Sequence, residues 1–227
     1  MTADQVVRWL EKKGRRRNLE GLARYGIVAP RAFGVTVGTL VGLAKRLGRD
    51  HALAAALWKS GWYEARMLAA MVDEPARVTR RQMDAWAAAF DNWAICDHAC
   101  FHLFDRTPFA WEKARQWAAS PREFVKRAGF ATMASLAGHD KTATDARFMA
   151  LLPLIEKGAR DDRNFVKKGV SWALRRIGRR SLALNAASLE VARRLAAAKD
   201  PSSRWVGKDA VRELASPKVR SRIRDQR

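Results

Sequence analysis

The sequence predicts an all-α protein, and three observations carry that expectation. Apolar residues recur three and four positions apart, as in Leu53 and Leu57 or Val191 and Leu195, the period of one helix face rather than the alternation of a strand. Runs of alternating β-branched residues are few. Turn and capping residues punctuate the apolar stretches at short intervals, as a chain of medium-length helices requires. With 227 residues, 48% hydrophobic and 30% charged, the chain has the apolar material for a well-buried core.

Taken in order, residues 3 to 25 read as one helix broken near Gly14, with the basic cluster Arg15-Arg16-Arg17 at the break. After Gly26 the segment from Ile27 to Val35, rich in glycine and proline, is expected to be a connector. Thr36 caps the next helix, which runs to about Leu47. From Asp50 onward the helices come in pairs: 50 to 60 with 62 to 72, 79 to 90 with 92 to 104, 108 to 119 with 121 to 137, 144 to 157 with 163 to 178, and 181 to 198 with 203 to 215. Pro153 falls inside one of these and should kink it or move its boundary. The tail from Ser216 to Arg227 has too few apolar residues to pack well. No segment has the composition of a linker, so residues 1–227 are expected to form one domain. Within it, 1–48 is an N-terminal helical cap and loop, 50–215 the stacked pairs and 216–227 a basic tail.

Lys and Arg number 44 against 23 Asp and Glu, a formal net charge of +21, so the expected partner is a polyanion. Basicity alone does not say which one; a ribosomal or merely basic protein has the same balance. No apolar run approaches the roughly 18 residues of a membrane span, and the first twenty residues are charged where a signal peptide is apolar. A cytoplasmic, nucleoid-associated protein without membrane contact is therefore expected. Cys96 and Cys100 lie one helical turn apart and supply no disulfide framework. Together with His98 and His102 they invite a zinc reading. On one helix, however, the two imidazoles point roughly 160° away from the two thiols, so the four cannot converge on one ion. No phosphate-cradling or dinucleotide-type glycine loop and no serine elbow is present, which argues against nucleotide-driven chemistry and serine hydrolysis.

The helix pairs are repeats. Phe124-Val125-Lys126-Arg127 recurs as Phe165-Val166-Lys167-Lys168 and more weakly as Trp205-Val206-Gly207-Lys208, at intervals of about 40 residues, close to the period of HEAT-type repeats. Going backwards at about 30 residues, the Trp62 to Arg66 segment lines up with Trp93 to Asp97. In that register, one position on successive second helices reads Arg66, Asp97, Arg127, Lys168, Lys208. Equivalent positions of a stacked solenoid line one surface, so four cations and one carboxylate are expected along a common strip. Trp93 lies one turn before Asp97, and Trp172 one turn after Lys168. The plain alternative is that the rings are core and the charges a solvated face.

A strip of cations suits a duplex backbone, but a carboxylate among phosphates opposes binding unless it meets something positive. A Lys or Arg of the protein is the structural answer. The functional answer is a cationic alkylated purine, or the oxocarbenium-like sugar formed as its N-glycosidic bond breaks. A carboxylate stabilises that charge and deprotonates water, and indole faces favour a cation.

Trp93-Ala94-Ile95-Cys96-Asp97, Lys126-Arg127-Ala128 and the segment from Phe165 to Arg175 resemble the motifs of the AlkD-type DNA alkylation repair glycosylases. The similarity extends to Phe33-Gly34-Val35 and the helix that follows. The resemblance implies a right-handed HEAT-like superhelix holding duplex DNA in a basic concave groove. It also implies release of positively charged N3- and N7-alkylpurines by a monomer, with no metal, cofactor or base-flipping pocket. Asp97 then corresponds to the catalytic carboxylate, Trp93 and Trp172 to the indoles flanking the lesion, and Arg127 to the residue holding the backbone there. Arg66, Lys126, Lys167, Lys168, Lys208 and Arg175 are the remaining candidate DNA contacts. Two departures stand out: Val41-Gly42 occupies a place where an arginine is expected, and Gly129 and Gly169 weaken two helices that carry site residues. The expected function is an alkylpurine DNA N-glycosylase that leaves an abasic site. The alternatives are a non-catalytic helical-repeat protein binding bent or branched nucleic acid and a scaffold for an acidic protein. A bifunctional lyase would need a lysine of depressed pKa, such as Lys168.

Overall fold

The structure is a computed structural model in which residues 1–224 are described. Regular structure among these residues is helical throughout, and the chain divides into two compact units, Met1–Pro108 and Phe109–Arg227.

In the first unit, α1 (Ala3–Lys13) and α2 (Arg16–Arg24) replace the single interrupted helix with a break at Gly14, as expected. Thr2 and Gln5 close a reciprocal capping box on α1. The next helices are α3 (Val37–Leu47), α4 (His51–Lys59), α5 (Tyr63–Val72), α6 (Arg80–Ala88) and α7 (Trp93–His102). Thr36, Asp50, Thr79 and Asn92 each present a side-chain oxygen to a free N–H of the first turn, which is why these helices start where the sequence says. α5 packs against α3, α4 and α7, and of its residues only Arg66 is not buried. Nearby, the Trp58 and Trp86 rings stack with centroids 4.0 Å apart, and Phe90 and Phe104 close the cluster.

The second unit contains α8 (Ala110–Ala118), α9 (Glu123–His139), α10 (Asp145–Met149), α11 (Leu152–Gly158), α12 (Asn164–Ile177), α13 (Leu182–Ala196), α14 (Pro201–Leu214) and α15 (Pro217–Arg224). α9 is buried without interruption from Arg127 to Ala137. It packs on α8 and on α12, α12 packs in turn on α14, and α14 on α13. Second helices of successive pairs are therefore neighbours here, as the repeat reading requires, and α5 and α7 are neighbours in the same way in the first unit. Phe130 and Phe148, both fully buried, anchor the core between these layers.

Three sequence boundaries are corrected. The helix expected over 144–157 is two helices, because Pro153 sits in the first turn of α11, where its missing N–H costs nothing. α14 starts at Pro201 rather than 203, capped by Asp200, for the same reason. The tail packs over part of its length: α15 buries Val219 and Ile223, one turn apart, so two apolar residues suffice when they share a face. The remainder of the basic tail, 225–227, lies outside the described residues.

Gly129 and Gly169 have different roles. A Cβ on Gly129 would meet the backbone of Ala114 and Ala118, so its absence lets α9 approach α8 to backbone contact; Gly207 does the same for α14 against Ala192 and Ala196 of α13. Gly169 instead lies along the side chain of Arg127, 3.4 Å from its Cγ. Gly129→Ala should therefore destabilise the protein by about 1–3 kcal/mol through overpacking, despite the gain in helix propensity of about 1 kcal/mol. Urea denaturation of the variant checks this, and a stabilised Gly129→Ala would refute the close approach.

Candidate functional site

The start of α7 is built from the side chains before it. Asn92, buried at 2% exposure, accepts from the N–H groups of Ala94 and Ile95 at 3.1 Å and donates to Asp91 at 2.8 Å. Asp91 is held in turn by Arg66 at 3.1 Å. This chain fixes the first turn of α7 and with it Trp93 and, one turn on, Asp97; both are half-buried. The Trp93 indole N–H donates to the carbonyl of Tyr25 at 2.9 Å, tying the ring to the end of α2.

The glycine loop is more than a connector. Glu64, fully buried on α5, accepts hydrogen bonds from the N–H groups of Phe33, Gly34 and Val35 at 2.7–3.2 Å. Gly34 adopts φ +79, where its missing Cβ also makes room for the carbonyl of Arg15. Phe33 stacks on Trp62 at 4.0 Å, and Arg31 lies over the same indole at 4.8 Å. Burial and the neighbouring Glu64 carboxylate push the Tyr63 phenol upward, so it stays protonated. No sequence signal singles out Glu64, because its partners lie about thirty residues away in a loop.

The cations divide into two groups. Arg66 is engaged by Asp91, the carbonyl of Ala89 and the face of Trp58. Lys126 pairs with Asp161 at 2.8 Å, and Arg163, foremost, with Lys126 holds that carboxyl well below the usual range. Arg127, only 6% exposed, donates to the carbonyl of Phe165 at 2.6 Å and so couples α9 to α12. Arg175 is bonded to Ser171 and Glu213. Of the strip the repeat suggests, Arg66 and Arg127 are thus not bare, and the further candidates Lys126 and Arg175 are engaged as well: where second helices pack side by side, a long arginine or lysine finds a carbonyl or carboxylate of the next repeat. Lys168 and Lys208 are exposed, and Lys167 lies 5.7 Å over the exposed ring of Trp205. The register holds to within one residue for Arg66, Asp97, Arg127 and Lys168, at the fourth or fifth position of their helices. Lys208 sits almost one turn deeper because α14 begins early. Trp172 is half-buried against the core of the second unit. Asp97 and Trp93 thus belong to the first unit, and Arg127, Lys168 and Trp172 to the second.

Tyr25 and Trp205 were missed as candidates, although both expose large aromatic surfaces, at 72% and 39%. For Trp205 the signal was available: it occupies the aromatic place of the repeated motif, after Phe124 and Phe165, whose rings lie 5.5 Å apart. At the departure Val41-Gly42, open space surrounds Gly42. Val41, Met71 and His102 line a cavity of about 290 Å³ with Lys45 and Arg49.

Cys96 and Cys100 are buried and unbridged. On the other side of α7, His98 and His102 stack at 5.1 Å. Burial, and secondarily His102, lowers the His98 pKa to about 4, and its Nδ1 is buried without a hydrogen-bond partner among the described residues.

A family model described as DNA alkylation repair enzyme matches residues 6–214, a span that runs through both units. No curated protein matches the chain. Among solved structures, one from a family of proteins related to the HEAT-like repeat DNA glycosylases with affinity for branched DNA structures superposes with a TM-score of 0.79 at 21% identity. The match covers 94% of this chain and 96% of that one, and it gives the fold as HEAT-like. An engineered protein (TM-score 0.39, 15% identity, 78% and 80% covered) and a designed armadillo repeat protein in complex with the peptide (KR)4 (0.35, 13%, 98% and 80%) match too loosely to bear on the fold.

Two consequences of this geometry are measurable. Glu64→Ala leaves three N–H groups, two of them buried, without their acceptor and should cost about 3 kcal/mol. Hydrogen exchange at Phe33, Gly34 and Val35 should accelerate together, and unchanged protection there would remove the carboxylate from its role. The unfolded chain protonates His98 near pH 6.5 but the folded chain only near 4, so the unfolded state binds the extra proton between those values. Stability should then fall as pH drops from about 6.5 to 4, by up to roughly 3 kcal/mol. His98→Gln should flatten that limb of the pH profile; a limb of unchanged depth would assign it to other groups.

Proposed function

We propose, from the premise that the chain belongs to the DNA alkylation repair enzyme family, that it is a monofunctional DNA N-glycosylase. It hydrolyses the N-glycosidic bond of cationic N3- and N7-alkylated purines in duplex DNA and leaves an abasic site. The observation that carries the reading is the pairing, one turn apart on α7, of a half-buried carboxylate with an indole tied in place, in a chain of net charge +21.

The chemistry suits those two groups. Alkylation at N3 or N7 already makes the purine a cation, so when the bond from C1′ to the base nitrogen breaks, its electron pair neutralises the leaving base. No general acid is then needed. The positive charge passes to the sugar as an oxocarbenium ion, where the Asp97 carboxylate stabilises it and accepts a proton from the water that bonds to C1′. Trp93 offers the cationic base an aromatic surface, an interaction of about 0.5–2 kcal/mol. Trp172 is the candidate for the second indole of the site, and Arg127 acts by setting the position of α9 against α12. Lys167, Lys168 and Lys208 are the candidate phosphate contacts, and a monomer acting on chromosomal DNA in the cytoplasm fits all of these roles.

A second reading, binding of branched DNA without catalysis, is favoured by what the structurally similar relative binds. The two separate at Asp97. Wild type should release 7-methylguanine and 3-methyladenine from methylated duplex DNA, and Asp97→Asn should slow release by about 10²–10⁴-fold while binding the same DNA as well or better. If wild type releases neither base and both proteins prefer a four-way junction to linear duplex, the glycosylase reading gives way to the binder.

A further inference from the structure

The second unit contains a cavity of about 470 Å³ at the C-terminal ends of α9 and α12, lined by Ala137, Gly138, Lys141, Arg176, Arg179 and Arg180. Four cations and two small residues surround it, and among the described residues no carboxylate lines it. Cations at helix C-termini are expected on electrostatic grounds, and Arg180 meets that description: it donates to the carbonyls of Ala137 and Ala143 while its guanidinium lies 4.2 Å over Phe148. Its hydrogen bonds go to neutral acceptors, and Asp145 and Asp140 act on its charge only from a distance. Arg179 reaches Glu213 only at 3.4 Å, and that carboxylate is held more closely by Arg175 at 2.6 Å.

Arg176 has no such account. Its side chain is half-buried, its Nε is fully buried, and among the described residues it has no hydrogen-bond partner. Burial, then the adjacent Arg179, pulls its pKa below the arginine range, opposed only by Glu213. A Cβ on Gly138 would collide with the Arg176 guanidinium, so glycine keeps open the space into which that group projects. A half-buried guanidinium with an unpartnered Nε, beside three further cations and with only the shared Glu213 near it, is costly unless an anion completes it. Planar guanidinium forks with a flexible ammonium suit the tetrahedral oxygens of a phosphate.

We propose that Lys141, Arg176, Arg179 and Arg180 form a phosphate-binding pocket, separate from the residues assigned to base release. The phosphate group belongs either to the DNA backbone or to a free or terminal phosphate, and one pair of measurements distinguishes the sources.

Thermal melting of the full chain is followed in inorganic phosphate and in chloride of equal ionic strength, for wild type, Arg176→Met and, as a control, Arg193→Met at an exposed site of α13. Phosphate should raise the wild-type and control melting temperatures saturably above chloride, as a ligand of the folded state does. Arg176→Met should lose that rise while melting at or above the wild-type temperature in chloride, because an apolar chain replaces an unpaired charge. Lys141→Gln, at the exposed rim, should lose part of it and guards against a misfolded Arg176 variant. If the group is a backbone phosphate, Arg176→Met also lowers the log–log salt slope of duplex binding by about 0.9. An unchanged slope with the phosphate shift lost assigns the pocket to a free or terminal phosphate. The proposal is overturned if wild-type melting follows ionic strength alone, or if Arg176→Met keeps the phosphate shift. The phosphate shift is read on the DNA-free chain, so its presence or absence is decided independently of base release and of the glycosylase reading.

Discussion

A helix buried on nearly every side has to satisfy most of its polar side-chain atoms within the protein, and this constraint shapes both units. α5 and most of α9 are such helices. On α5 the constraint turns Glu64 into an acceptor for three loop amides. On α9 it turns Arg127 into a donor to the backbone of α12 and bends the hydroxyl of Ser135 back to the carbonyl of Ala131. The polar residues that look like surface chemistry in the sequence are, at these positions, the fasteners between neighbouring repeats.

The same constraint explains what could be read from the chain alone. Helix starts were legible because capping acts over three residues: Thr36, Asp50, Thr79 and Ser181 each bond within their own first turn. The HEAT-like class was legible because a short motif recurs on successive second helices, at about 30 and then about 40 residues. Side-chain partners were not. Arg175 and Glu213 are 38 residues apart, as are Arg127 and Phe165, and nothing local in the sequence distinguishes a cation that will meet the next repeat from one that will meet solvent. The early start of α14 was hidden for a different reason: Pro201 reads as a breaker until it is recognised as the first residue of a helix.

At the candidate site the shared helix face of Trp93 and Asp97 was legible and its support was not. Trp93 and Asp97 fall on one face by spacing alone, whereas the Arg66–Asp91–Asn92 chain that sets their helix in place depends on a contact across 25 residues. In the second unit, aromatic Trp205 and the exposed Lys168 and Lys208 hold the character that sequence reasoning had spread evenly over the whole strip.

The tether between Trp93 and Tyr25 has a consequence for affinity. A free indole on a helix surface samples several rotamers, and a ligand that stacks on it must halt that motion at a cost of about 0.5–1.5 kcal/mol for an immobilised side chain. Here the ring is already stationary through its own N–H, so most of that entropy is lost when the protein folds. Any planar group that stacks on this ring meets a wall instead of a moving vane, and a small, weakly held one gains the most from that difference.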